Sequence, residues 1–162
     1  MRIFLKTSIL PYREAGFIAT TMAHFQVYYQ GHLRCVATHL ASGSEIETDA
    51  PVDNHGKGER FSPTDLVATA LGVCMMTVMG IAAEDKQISL EGTRLDIEKT
   101  MAASPRRIVK IRVEIHFPEQ LCISEADRAH LERVARNCPV AKSIHPDIEQ
   151  DIHFHWPSQG TA

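Results

Sequence analysis

Alternating apolar and polar positions predict strands in two separate parts of the chain. Near the N-terminal end, "FQVYY", "HLRCVATHL" and "EIETD" predict three short strands, and Gly43 can supply the positive φ of the turn before the third. Further on, "RLDIEKT" and "RRIVKIRVEIHF" predict a pair of strands, and "IEQDIHFHW" predicts a last one. In the second strand of the pair, Ile111, Val113 and Ile115 alternate with charged residues, so one face of it is expected to be buried.

A long uncharged segment lies between the two groups of strands. Residues 66–83 contain no charged side chain, a length at the lower limit for crossing a membrane, but neither an aromatic belt nor a basic flank accompanies them. Residues 62–65, Ser-Pro-Thr-Asp, form a helix start with serine at the N-cap and an acid three residues later. We therefore predict a buried helix that runs to about residue 85, and no association with a membrane.

Two shorter helices are predicted towards the C-terminal end. Ser124 and Asp127 open the first, which ends near Asn137, and "CPVAKSI" starts the second. The order β-β-β-α-β-β-α-α-β groups strands without regular alternation, which predicts an α+β fold with antiparallel sheets. We assign residues 22–157 to a single domain, residues 1–21 to an N-terminal extension without steady periodicity, and residues 158–162 to a C-terminal tail.

Composition narrows the class of protein. The chain has 162 residues, of which 44% are hydrophobic, enough for one buried core. Its formal net charge is −3 with acids and bases interspersed, so nucleic acid is not an expected partner. The four cysteines form no C-x-x-C pair and the first residues form no signal peptide, so we expect free thiols in a reducing cytoplasm.

Cys138 stands directly before a proline inside an otherwise helical segment. Pro139 suits the first position of a helix, so Cys138 is the expected N-cap of the short helix. Unpaired N–H groups and the positive end of the helix dipole favour a thiolate there, which is the reactive form of cysteine. A small buried structural cysteine is the alternative, and the local sequence leaves both interpretations open.

The other cysteines and two histidines give weaker signals. Cys74 lies in the middle of the uncharged helix, where burial would raise the pKa of its thiol, and taken alone it is a packing residue. Cys35 and Cys122 show no sign of reactivity. His153 and His155 share one face of the last strand, which could contribute to a zinc site but is more typical of the polar face of an edge strand.

Two of these motifs together resemble a known family. "SPTDLVATALGVCMM", followed later by "RNCPVAKSI" and preceded by "GHLRCVATH" and "SGSEIETDAP", resembles the OsmC/Ohr family over about residues 22–156. The resemblance implies an OsmC-like intertwined homodimer in which antiparallel sheets wrap around central helices. A dimer core of that kind would cover the uncharged helix on every side.

The resemblance also implies thiol peroxidase activity on organic hydroperoxides, of fatty or alkyl type, in oxidative-stress defence. Cys74 would be the peroxidatic thiol and Cys138 the resolving thiol. An external dithiol, such as the lipoyl group of a lipoylated protein, would reduce the resulting disulfide. No metal, flavin or other cofactor is expected.

The family places an arginine and a glutamate beside the first cysteine. An arginine lowers the pKa of a buried thiol and stabilises the leaving oxygen. Arg34 is the predicted arginine, with Arg60 as the second choice. The position of the family glutamate holds Thr64, so Asp65 or Glu59 is expected to replace it.

A second function stays open at this point. Without the family glutamate, the chain could be an OsmC-like dimer that has no peroxidase turnover and binds a small apolar ligand at its interface. The cysteines would then be retained only as packing residues. The two hypotheses differ in one observable, because only the first predicts a Cys74–Cys138 disulfide after treatment with a hydroperoxide.

Overall fold

A computed structural model describes residues 24–158 as two three-stranded sheets and three helices. The strands are Phe25–Gly31 (β1), Arg34–His39 (β2), Glu45–Asp49 (β3), Arg94–Ala103 (β4), Arg106–His116 (β5) and Glu149–His155 (β6). The helices are Pro63–Glu84 (α1), Glu125–Arg136 (α2) and Pro139–Ser143 (α3), and a 3₁₀ turn that the sequence did not predict spans Val52–Asn54. The α+β class is therefore confirmed, while residues 1–23 and 159–162, with the predicted extension and most of the predicted tail, lie outside the described residues.

The N-terminal sheet is antiparallel, in the order β1-β2-β3, and one of its faces is apolar and uncovered. Val27, Ala37 and Ile46 are direct neighbours across the three strands and therefore share a face. Phe25 and Val27 are 68% and 67% exposed, and Ile46 is also exposed. Residues 24–158 therefore leave this apolar sheet face uncovered.

The second sheet has the order β4-β5-β6 and corrects the prediction of antiparallel sheets. β4 and β5 are antiparallel, but β6 lies parallel to β5. The parallel direction arises because α2 and α3 carry the chain back to the starting end of the sheet between the two strands. Ile111, Val113 and Ile115 are fully buried on β5, as their alternation predicted.

Helix α1 begins at the predicted cap and packs one face into the core. Ser62 Oγ accepts from the Asp65 N–H at 3.1 Å, and the Asp65 carboxylate accepts from the Ser62 N–H at 2.7 Å. Leu71 and Met75 are fully buried in one cluster with β5. Gly72 allows β4 to approach closely, since a Cβ there would lie 2.5 Å from Ile97 Cδ1.

The opposite face of α1 is an exposed apolar stripe. It consists of Val67, Ala70, Val73, Thr77 and Ile81, which recur every three or four residues and all lie exposed. By length and composition alone α1 could cross a membrane, and 33% of its most apolar window is buried within the chain. We predicted that α1 is buried on every side, but the described residues bury only one side of it.

Candidate active site

Cys74 lies halfway along α1, at the edge of the exposed stripe. Val67 and Ile81 stand seven residues before and after it, so all three point to nearly the same side of the helix. The Cys74 side chain is half-buried, and that of the preceding Val73 is 58% exposed. The thiol is therefore accessible from the uncovered side of α1.

Cys138 caps α3, as its place before Pro139 predicted. Its backbone is extended, with φ −62° and ψ 154°, and its Sγ accepts from the Ala141 N–H at 3.4 Å. Pro139 has no N–H to leave unpaired in the first turn. The cysteine is only 1% exposed.

The structure brings the two thiols together between α1 and α3. The Cys74 thiol interacts with the Cys138 side chain, and both cysteines are free. Burial raises the pKa of the Cys138 thiol above its usual value, the Ala141 N–H lowers it, and the neighbouring Cys74 thiol raises it again. The N–H donor at the helix start favours the Cys138 thiolate, as its capping position predicted, but burial has the larger effect and the pKa of the thiol is raised.

Arg34, the predicted activating arginine, is bound by two carboxylates of the N-terminal sheet and the loop after it. Its Nε and Nη2 donate to the two oxygens of Asp49 at 2.8 and 2.7 Å, and Nη2 also donates to Glu59 at 2.8 Å. The Glu59 N–H donates to Asp49 at 3.1 Å. Within residues 24–158, no hydrogen bond or ion pair joins Arg34 to Cys74, so in one chain this guanidinium fastens the loop to the sheet.

Sequence reasoning missed Asp49, which is only 2% exposed. Arg34 and Asp49 are direct cross-strand partners of the β2–β3 hairpin, so counting the register back from the turn at Gly43 would have found the pair. The second-choice arginine, Arg60, pairs with Glu47 at 2.7 Å on the same sheet.

Asp65, a predicted replacement for the family glutamate, is bound away from Cys74. Its carboxylate accepts from the Ser62 N–H and pairs with Lys99 of β4 at 2.6 Å. Burial raises the pKa of Asp65, but the bonds from Lys99 and Ser62 outweigh it and leave that pKa below its usual value. Asp65 precedes Cys74 by nine positions in α1, which is about two and a half turns, so the two residues lie on opposite sides of the helix. Thr64 Oγ1 lies 3.0 Å from Ser62 Oγ.

A cleft of about 460 Å³ opens beside the Asp65–Lys99 pair. Neither Cys74 nor Cys138 lines it, so it is separate from the thiol pair. Its charged side chains are already paired, either with each other or with the N-terminal sheet. The lining residues are Gly58, Glu59, Arg60, Phe61, Asp65, Ala68, Thr69, Ile97 and Lys99.

The two histidines considered for zinc bind carboxylates on the outer face of the second sheet. His153 Nε2 lies 2.7 Å from Asp151 and His155 Nε2 lies 2.6 Å from Glu114. His116 stacks on His155 with ring centroids 4.4 Å apart. Among residues 24–158, no three His, Cys, Asp or Glu side chains are arranged to hold a metal ion, so the zinc hypothesis finds no ligand set there.

The Arg34–Asp49 pair predicts a pH dependence of stability. The hydrogen bonds from Arg34 hold the pKa of Asp49 below its usual value, so the ionised form stabilises the fold above the unfolded-state pKa of about 3.9. That stabilisation is lost as the pH falls through the lower folded-state pKa. The free energy of unfolding, measured by urea titration from pH 7 to pH 3, should therefore fall more steeply below about pH 4 in the parent than in Asp49→Asn.

The matched control for this measurement is Asp53→Asn, which removes the exposed ion pair between Asp53 on the 3₁₀ turn and Arg106 at the start of β5. It should leave the pH profile close to that of the parent. A constant difference between the parent and Asp49→Asn across the whole range would contradict the assignment.

Comparison with known proteins decides the family. The family model for OsmC-like protein matches residues 56–153, more than half of the chain, and this segment includes both Cys74 and Cys138. The chain belongs to the OsmC family. The resemblance of the two cysteine motifs is thereby confirmed, whereas Arg34 and the N-terminal sheet lie outside the matched segment.

Solved structures of OsmC-type proteins extend the likeness to most of the chain. A Psychrobacter arcticus 273-4 protein, assigned to the osmotic stress induced and detoxification response, is 47% identical, with a TM-score of 0.79 over 86% of this chain and 100% of its own. The organic hydroperoxide resistance protein OsmC of Legionella pneumophila is 16% identical, with a TM-score of 0.65 over 85% and 99% of the two chains. The organic hydroperoxide resistance protein OhrB of Bacillus subtilis is 13% identical, with a TM-score of 0.56 over 84% and 99%. None of the curated proteins matches the chain.

Proposed function

We propose that this chain is a thiol peroxidase that reduces organic hydroperoxides through Cys74 and Cys138. The observation that carries the proposal is the contact between an accessible thiol on α1 and a buried thiol on α3, in a chain of the OsmC family. Two structural relatives are named organic hydroperoxide resistance proteins, which supports the substrate class. The Psychrobacter protein is named for osmotic stress and detoxification, and the detoxification in that name supports a part in oxidative-stress defence.

In the first step, the Cys74 thiolate attacks the terminal oxygen of the hydroperoxide. An S–O bond forms as the O–O bond breaks, and the alkoxide leaves and takes up a proton to become an alcohol. Cys74 is oxidised by two electrons to sulfenic acid. The exposed stripe beside Cys74 is apolar, as is the alkyl part of such a substrate, so the two can make hydrophobic contact.

In the second step, Cys138 attacks the sulfur of the Cys74 sulfenic acid. An S–S bond forms, the S–O bond breaks, and hydroxide leaves with the Cys138 proton as water. Because burial raises the pKa of the Cys138 thiol, this thiol has to give up its proton as it attacks, and the leaving hydroxide takes that proton. An external dithiol of the lipoyl type then reduces the disulfide by two thiol–disulfide exchanges and is itself oxidised. We place this cycle in the cytoplasm, where free thiols persist.

The proposal includes a homodimer, because one copy leaves Cys74 without a cation to stabilise its thiolate. Within residues 24–158, no ion pair or hydrogen bond brings a basic side chain to Cys74. Cys74 lies instead at the edge of the exposed stripe of α1, where a second copy would pack. Arg34 of the second copy is our candidate for the missing cation, since Asp49 and Glu59 hold its guanidinium in a fixed plane.

Coupled turnover tests the activity and the electron donor together. We expect the chain to reduce an alkyl hydroperoxide in steady state with a dihydrolipoyl system. With a thioredoxin system we expect a rate at least about tenfold lower, because exchange depends on access of the donor to a half-buried disulfide. Consumption of hydroperoxide is followed through oxidation of NADH or NADPH in the two coupled systems. Absence of turnover with either donor would contradict the proposal and favour the non-catalytic binding of an apolar ligand.

A further inference from the structure

The junction between α2 and α3 carries Cys138 and is bound to β6 at two points. Arg136, the last residue of α2, donates from Nη2 to the carbonyl oxygen of Ile152 at 3.0 Å. On the other side of the thiol, Gln150 donates from Nε2 to the carbonyl oxygen of Ala141 at 3.0 Å. Strand β6 therefore holds the chain two residues before and three residues after Cys138.

Ala141 connects Gln150 to the thiol. Its carbonyl oxygen accepts from Gln150, and its N–H donates to Cys138 Sγ at 3.4 Å. The last four carbonyls of any helix lack partners within it, and α3 has only five residues, so it depends strongly on outside donors. The partly buried Gln150 amide supplies one of these donors and thereby fixes the turn that holds the sulfur.

The position of this turn matters because a disulfide has a narrow geometry. The Cα atoms of the two cysteines must lie about 4.4–6.8 Å apart, and the Cβ atoms must point towards each other. When the reacting groups already lie in place, the reaction avoids most of the entropic cost of bringing them together. A shift of α3 along β6 would therefore slow the attack of Cys138 on Cys74 without changing the exposure of Cys74.

We propose that Gln150 is a positioning residue for Cys138, which sets the rate at which the Cys74–Cys138 disulfide closes. Arg136 holds the other side of the same junction in the same way. The role rests on the proposed function, in which closure of this disulfide is the second half of the reaction. It affects that half only, since the bond from Gln150 reaches Cys138 through Ala141 and does not involve α1.

The test follows disulfide closure without a hydroperoxide. The full chain, carrying Cys35→Ser and Cys122→Ser, is treated with 5,5′-dithiobis(2-nitrobenzoate). The Cys74 thiolate displaces one thionitrobenzoate and forms a mixed disulfide, since Cys138 is buried. Cys138 then attacks the Cys74 sulfur, the Cys74–Cys138 bond forms, and the second thionitrobenzoate leaves. Stopped-flow absorbance separates the two releases.

Gln150→Leu should slow the second release at least about tenfold and leave the first within about twofold of the parent. Arg136→Met should also slow only the second release, and it provides the test if Gln150→Leu does not fold. The control is Asn137→Ala, which removes a hydrogen bond of 2.7 Å to the carbonyl oxygen of Arg133 at the same junction. That bond joins the C-cap of α2 to the last turn of the same helix and does not reach β6, so both releases should keep the rates of the parent.

Equal slowing of both releases, or no change in either, would overturn the positioning role. The outcome is separable from that of the proposed function. If a hydroperoxide forms no disulfide in the parent but Gln150→Leu still slows the second release, the peroxidase proposal fails and the positioning role is supported. If a hydroperoxide forms the disulfide in the parent but Gln150→Leu leaves the rates of both releases unchanged, the positioning role fails and the peroxidase proposal is supported.

Discussion

Replacing Cys74 with serine is expected to lower kcat/KM for an alkyl hydroperoxide by at least about 1000-fold, a loss typical of removing a nucleophile. The serine hydroxyl stays protonated at neutral pH and cannot replace a thiolate in attack on the O–O bond. Cys138 cannot take over the first step, because its thiol is 1% exposed and burial raises its pKa. The measurement is steady-state reduction of the hydroperoxide with a saturating dihydrolipoyl donor.

Two further cysteine variants make this result specific. Cys138→Ser should still release one equivalent of alcohol per chain and then stop, with Cys74 in the sulfenic or sulfinic state. Cys122→Ser removes an exposed thiol that has no part in the pair, and it should stay within about twofold of the parent. Retention of more than a tenth of the parent rate in Cys74→Ser would contradict the role of Cys74 as the nucleophile.

Placing two glutamates on the exposed stripe of α1 should dissociate the proposed dimer. Val73 and Ile81 are 58% and 60% exposed in one chain, and burial of such a side chain contributes about 1.5–3 kcal/mol. Val73→Glu with Ile81→Glu removes both contributions and introduces charges into an apolar contact. The self-association constant should fall at least about 100-fold, since each 1.4 kcal/mol is tenfold. Light scattering during size-exclusion chromatography measures the change as a halved mass.

The matched control is Val52→Glu, which changes a valine that is 74% exposed on the 3₁₀ turn, outside α1. It should leave the mass equal to that of the parent. A parent chain that stays monomeric at micromolar concentration would contradict the dimer and remove the second copy as the source of a cation for Cys74. Peroxidase activity of the dissociated double variant, if undiminished, would show that the cation is not needed.

The local elements could be predicted from the sequence because their signals lie within a few residues. The start of α1 at Ser62 and Pro63 depends on one capping box, and the burial of β5 depends on alternation along a single strand. The capping position of Cys138 follows from the proline beside it. Each of these features is decided by neighbouring residues, so a single sequence suffices to find it.

The parts that could not be predicted depend on contacts between distant elements. The parallel pairing of β6 with β5 depends on the path of the intervening helices, which the grouping of strands does not reveal. Asp65 has a carboxylate that could replace the family glutamate, but this carboxylate pairs with Lys99 of β4. The pKa of Cys138 is raised because other elements bury the thiol, and the rules for helix capping do not predict burial.

The contact between the two thiols also joins elements that lie far apart in the sequence. The sequence indicated this contact only through the resemblance to a family. Judged by its own neighbours, Cys74 is a packing residue of an apolar helix. Its contact with Cys138 and its place on the uncovered side of α1 give it a chemical role in the proposal. Both features depend on the tertiary structure and not on the residues next to Cys74 in the sequence.

The most direct test of the proposal is the mass of the chain after treatment with one equivalent of an alkyl hydroperoxide. The reaction is followed by alkylation under denaturing conditions and by peptide mapping. We predict that Cys35 and Cys122 are alkylated, while Cys74 and Cys138 are joined by a disulfide and the chain is lighter by two hydrogens before alkylation. A chain with all four cysteines alkylated after the same treatment would contradict the peroxidase.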